Sequence, residues 1–215
     1  MFRRATLTAL AIATVAVFVA GGTARASAQV IQDRFHGPFA EAGWEASTPT
    51  SITDAAILAS QEQDGTTHLS VFDLHTTYLD SDGNVTGSLD VRGELNAGAS
   101  FMLDKINLST ASASGTVPVT RCTFDADGNP TGCTTDTMDV SATWTGEGQM
   151  TQGSQYEDHF VQPDGFTFID RQSGNFRMAS AAATIGGQTF DASELQFADL
   201  GVSNQLTLTI CPHGC

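Results

Sequence analysis

Hydrophobic and polar residues alternate along most of this chain at a spacing of two, and no stretch after the N-terminal segment sustains the longer period of a helix. Short runs rich in Val, Thr and Phe are separated by clusters of Gly, Asn and Asp, the pattern of an all-β domain. It predicts strands over 54–62, 67–79, 85–95, 100–108, 111–124, 133–145, 155–161, 166–171, 175–185 and 205–211, and one more around Phe35 to Trp44. The stretch DASELQFADLG at 191–201 reads as a short helical turn or an irregular loop. The expected fold is a single-domain antiparallel β-sandwich built from hairpins. A closed or partly open antiparallel β-barrel is the alternative, because both bury one face of every hairpin.

Two stretches, YLDSDGNVTG from Tyr78 and CTFDADGNPTGC from Cys122, share a D-x-D-G-N core and fix the register locally. Placing Asp82-Gly83 at the centre of a two-residue turn sets Leu74 opposite Val91, Phe72 opposite Gly93 and Tyr78 opposite Gly87 on an apolar face. The other face then pairs Asp73 with Arg92, His75 with Asp90, and Thr77 with Ser88. Centring the second turn on Asp127-Gly128 sets Met138 against Val117, Val140 against Gly115, Ala142 against Ala113 and Trp144 against Ala111. Thr120 then faces Thr135, Thr116 faces Asp139, and Cys122 lies across from Cys133. A slip of one residue would scramble both faces.

The same core resembles the opening of a calcium loop, with Asp125, Asp127, Asn129 and Asp136 as candidate ligands of a structural ion. Such a loop needs glycine at its sixth position, where this chain has Val85 or Pro130, and its flanks should be helical. A plain turn is therefore the preferred reading, and no other cofactor is indicated.

The N-terminal stretch changes the compartment. Arg3 and Arg4, an apolar run from Ala5 to Ala20, and Ala26-Ser27-Ala28 make up a secretory signal peptide over 1–28, leaving one all-β domain over 29–215. The run is too short to favour a permanent membrane span. Cleavage would remove three arginines and take the formal charge from −15 to about −18. So negative a surface, with Lys105 as its single lysine, repels nucleic acid and anionic lipid. The expected product is secreted and acidic, its partner an extracellular ligand the sequence does not name.

Four cysteines in an exported chain predict two disulfides, Cys122–Cys133 from the hairpin register and Cys211–Cys215 across the terminal CPHGC. In an ideal two-residue hairpin the 122/133 pair falls at a hydrogen-bonded site, where side chains are farther apart; a bulge near Pro130 would relieve this. Familiar catalytic motifs are missing. His68 and His75, seven apart, should point to opposite faces of a straight strand. Asp158-His159 and His75/Asp90 read more readily as solvated contacts than as acid–base pairs. Glu147, in TWTGEG beside Trp144, is the one catalytic candidate, and Trp44 and Trp144 are the candidate binding aromatics, although each also suits a core. The favoured function is a secreted, non-catalytic binding or structural domain. The alternatives are a hydrolase of carbohydrate or similar polymer using two carboxylates, and a calcium-stabilised adhesion or matrix domain.

Overall fold

The computed structural model describes the backbone of residues 31–161 and 167–211, and the side chains of 36–152 and 173–203. The signal-peptide reading of 1–28 and the partner sulfur at Cys215 lie outside the described residues, as do the side chains of Asp158 and His159. The chain forms two compact units, one of Met1–Phe35, Gln155–Ser173 and Asn204–Cys215, the other of His36–Ser154 and Gly174–Ser203. The side-chain detail below belongs to the second.

The fold is all-β. Its strands are β1 (Ile31–Thr48), β2 (Ser51–Gln61), β3 (Thr67–Leu79), β4 (Val85–Asn96), β5 (Ser100–Leu103) and β6 (Thr110–Asp125), followed by β7 (Pro130–Gly146), β8 (Thr151–Val161), β9 (Thr167–Ile185), β10 (Gln188–Phe190) and β11 (Leu195–Cys211). All eleven belong to one antiparallel sheet. Stepping between hydrogen-bonded neighbours from β9 through β11, β1, β2, β3, β4, β6 and β7 leads back to β9, so the pairings run in a ring. That arrangement is compatible with both layer packings expected from the alternation.

Several expected boundaries move for identifiable reasons. The 191–201 stretch is not helical: Asp191 caps a tight turn through Ser193, and β11 starts at Leu195. The expected strand over 100–108 stops at Leu103, because the Asp104 carboxylate accepts from the amides of Ile106 and Asn107 and from the Ser109 hydroxyl, curling the chain into a turn. The two runs at 166–171 and 175–185 are one strand, β9.

Both predicted hairpins form, but their turns are longer than two residues. The Asp80 amide donates to the Asn84 carbonyl and the Gly83 amide to the Asp80 carbonyl; Asp125, Gly128 and Asn129 repeat the pattern. Gly83 and Gly128 sit at φ +83° and +80°, the left-handed position of a three-residue loop. The extra residue is absorbed by a register shift beside each turn, so the predicted pairs Leu74/Val91, His75/Asp90, Thr77/Ser88 and Tyr78/Gly87 stand. In β6–β7 the shift falls between Thr123 and Phe124, beside Pro130. It leaves Cys122 and Cys133 joined with their Cα atoms 4.1 Å apart, close to the spacing of a non-hydrogen-bonded pair.

A second irregularity corrects the β3–β4 face. Gly93 pairs with Val71 rather than Phe72, and the ladder resumes only at Leu74, so Phe72 and Asp73 bulge out of it. Leu69, Val71 and Leu74 therefore all point into the core, and His68 and His75 share the outer face instead of lying on opposite ones.

The interior is built from two large rings among small neighbours. Trp44 on β1 and Trp144 on β7 are 2% and 1% exposed, surrounded by buried alanines that include Ala40, Ala42, Ala55, Ala59, Ala111, Ala142, Ala181 and Ala183. The Trp144 Nε1 donates to the Glu41 carbonyl at 2.9 Å, and the Trp44 Nε1 to the Ala181 carbonyl at 3.4 Å. Phe190 closes on Trp44 with ring centroids 5.9 Å apart. Each indole removes about 150–250 Å² from water, worth roughly 4–6 kcal/mol. Trp144→Ala should therefore lower the unfolding free energy by about 3–5 kcal/mol in a denaturant titration. Replacing Cys122 and Cys133 together by serine should cost about 2–3 kcal/mol in the same assay, since the bridge closes a short loop.

Candidate functional site

The inward rows of neighbouring strands turn polar at one common end. On β2 the row Ala59, Ile57, Ala55 continues into Thr53 and Ser51; on β3, Leu69, Val71 and Leu74 continue into Thr76 and Tyr78. On β6, Val117 and Val119 lead to Arg121. These positions surround a cavity of about 300 Å³. Leu74, Met138 and Ile185 form its apolar floor, Leu89 a wall, and Ser51, Tyr78, Arg121 and Gln188 its rim. The Gly186-Gly187 turn between β9 and β10 borders it; a side chain at Gly186 would press on Met138, whose Cε lies 2.9 Å from where a Cβ would stand. On the wall, the buried Thr53 hydroxyl bonds that of Thr76 at 3.1 Å.

Arg121 supplies the charge. Its Nε lies 3.6 Å from the exposed Asp136 carboxylate on β7, a loose pairing in which both groups keep contact with water. Water-exposed pairs of this kind contribute little to stability. The guanidinium fork therefore remains a strong donor at the cavity rim, suited to a planar acceptor such as a carboxylate. The sequence carries a signal for this site: an arginine stands where the next apolar residue of the β6 inward row is due.

The other candidate residues resolve differently. Trp44 and Trp144 are core, and neither ring is offered to a ligand. Glu147 is exposed, the adjacent indole turns inward, and what meets Arg177 is the Glu147 backbone carbonyl. Asp125 spends one carboxylate oxygen on the amides of Asp127 and Asn129, at 3.0 and 2.8 Å, while the Asn129 side chain reaches both oxygens. Asp80 is held in the same way by Asp82 and Asn84. These donors keep both carboxyls below the usual range, the Asn129 amide leading for Asp125 and the Asn84 side chain for Asp80. Asp136 sits with Arg121 rather than with Asp125. Among the described residues no group of three or more His, Cys, Asp or Glu is arranged to hold a metal ion.

One cluster resembles a catalytic triad. His75 Nδ1 is 2.8 Å from Asp90 and its Nε2 is 3.1 Å from the Thr77 hydroxyl. It stands on the open outer face of β3–β4, with Asp54 across on β2. Backbone amides in the middle of a sheet are consumed by the ladder, so nothing there offers the paired donors an oxyanion requires. The nearby Asp73 carboxyl is raised by burial, with Asp54 adding to it.

A carboxyl pair lies on the β1–β11 seam. FAEAG at 39–43 and FADLG at 197–201 are two copies of one pattern, and they meet head to tail. The Phe197 ring covers Gly43 and the Phe39 ring covers Gly201, leaving no room for a side chain at either glycine. The same register sets Glu41 across from Asp199. Burial, with Asp199 adding to it, pushes the Glu41 carboxyl up to about 7, and burial also raises Asp199.

No protein-family model matches the chain, and neither does any curated protein or solved structure. No helix among the described residues is long and apolar enough to cross a membrane. With the turn amides already satisfying Asp80 and Asp125, millimolar calcium and EDTA should leave the melting temperature unchanged. An upward shift with calcium would mean that one of these carboxylates exchanges its turn amides for the ion.

Proposed function

We propose that the chain is a secreted, non-catalytic binding domain that holds a small amphipathic monocarboxylate in the cavity at the polar end of its inward rows. The observation that carries this reading is Arg121 on the rim above a floor of Leu74, Met138 and Ile185. An apolar body fits the floor, and a planar carboxylate fits the guanidinium fork. The volume, about 300 Å³, lies at the lower end for ligand pockets and limits the guest to a medium-length or single-ring molecule. A single negative charge is favoured over several. The protein carries a formal −15 that opposes polyanions, whereas at contact the local guanidinium outweighs charges beyond roughly 8 Å of salt solution.

The N-terminal basic and apolar run, together with the Cys122–Cys133 disulfide, supports an extracellular setting, where bridges persist. Binding without turnover is preferred because the described residues of the cavity lining offer neither a carboxylate pair nor a nucleophile beside a base. The Glu41–Asp199 pair is not among the groups that line it.

The test is a thermal-shift and calorimetric screen of medium-chain and aromatic carboxylates, their neutral amide counterparts, and oligosaccharides. Carboxylates should raise the melting temperature and be recovered unchanged, while the amides shift it less. Arg121→Gln should weaken carboxylate binding about tenfold or more, as expected for one charge-assisted contact of about 1.5–3 kcal/mol. A response to oligosaccharides alone, or equal affinity in Arg121→Gln, would refute the assignment.

A further inference from the structure

We propose that the facing Glu41 and Asp199 carboxyls form a proton-operated latch on the β1–β11 seam, closed while at least one is protonated and loosened when both ionise. The geometry is that of the FAEAG and FADLG pair. Each phenylalanine lies over the other strand's glycine, so an aromatic ring stands on either side of the two carboxyls and covers part of each, leaving both half-buried. Phe176 of β9 extends the screen, packing on Phe39 with ring centroids 6.0 Å apart.

Among the described residues, the groups around Glu41 offer no compensating cation. From β11 it meets Asp199; from β2 it meets Leu58, flanked by the buried Ala56 and Ser60. On its own strand Phe39 and Gly43 share its face, and beyond Leu58 the β3 position is Ser70. Asp199 is the charged group that acts on it. Two carboxylates at facing positions on a half-buried seam repel, and separation of the strands that carry them relieves that repulsion. The Glu41 carbonyl also accepts the Trp144 indole N–H, which ties any movement of β1 at this point to the core.

A carboxyl raised in the folded state contributes stability that is full below its unfolded value and is lost as pH rises through its folded one. For Glu41 that window runs from 4.5 to about 7. The exposed turn-capping acids behave oppositely. Asp104, held down to about 2 first by the Ser109 hydroxyl, contributes stability above its ordinary value of 3.8 that disappears as pH falls through the lowered one. Asp80, Asp125 and Asp191 act in the same direction. Greatest stability should therefore lie in mildly acidic solution, with a decline toward pH 8 that Glu41 and Asp199 set.

The test uses the ligand-free, disulfide-bonded protein. Hydrogen exchange, corrected for intrinsic rate, is compared at pH 5.5 and 8.5. Amides of 39–45 and 195–201 should lose protection at least tenfold at the higher pH, while the β6–β7 hairpin keeps its own, and the melting temperature should fall over the same interval. Glu41→Gln, which imitates the protonated acid, should abolish both changes. Asp199→Asn should remove them, or move what remains to lower pH because the Asp199 charge adds to the Glu41 rise, and serves alone if the first variant does not fold. Equal loss of protection in both hairpin and seam, no loss in either, or an unchanged pH response in the variants would overturn the latch. Because no described residue of β1 or β11 lines the cavity, this outcome is independent of ligand binding.

Discussion

Filling the space enclosed by a ring of paired strands is the constraint on which the rest of this structure depends. The chain meets it with two indoles set among alanines. Trp44 and Trp144 supply bulk that smaller residues on facing strands do not, and each polar ring nitrogen finds a backbone carbonyl across the interior. Those contacts tie β1 to β9 and β7 to β1, strands far apart in sequence. A buried indole without such a partner would carry an unsatisfied donor, so the two bonds fix where each ring can sit as well as how it packs.

The distribution of bulk also explains why a cavity exists at one end. Where the inward rows carry Trp, Phe and Leu the interior is filled. Where they change to Ser, Thr and Arg it is not, because short hydroxyl side chains do not reach across and a guanidinium is retained at water. Gly186 takes part in this shaping: it leaves room for Met138 to lie on the floor, and its φ of +59° suits a residue without a side chain.

Acidic residues in this protein fall into two physically distinct groups. Asp80, Asp104, Asp125 and Asp191 are exposed and organise turns by accepting from nearby amides and hydroxyls, so their ionised form is the useful one. Glu41 and Asp199 are partly covered by aromatic rings and find no such donors among the described residues, so their neutral form is favoured. One side-chain chemistry is thereby used as a cap in water and as a proton-dependent contact on a strand seam. The difference is made by burial and by the number of hydrogen-bond donors within reach.

Much of the architecture is written locally. The period-two alternation gave the strands, and the two D-x-D-G-N turns with their complementary flanks gave the Cys122–Cys133 bridge and nearly every β6–β7 pair, because both depend on residues close in sequence. The β3 bulge was not legible: Phe72 continues the alternation, yet Gly93 pairs with Val71 and the ladder resumes only at Leu74. The strand nature of 195–201 was hidden for a related reason, since FADLG has a modest strand preference by itself and becomes a strand by pairing with FAEAG. Arg121 interrupts an apolar row visibly, yet that it faces a cavity depends on the inward rows of β2 and β3 turning polar at the same end. Sequence alone determined the strand class, the hairpin registers and one disulfide, which are set by near neighbours. Tertiary structure decided which distant strands meet, and with that the indole contacts, the cavity and the carboxyl seam, because each is formed by groups whose separation along the chain carries no information about their separation in space.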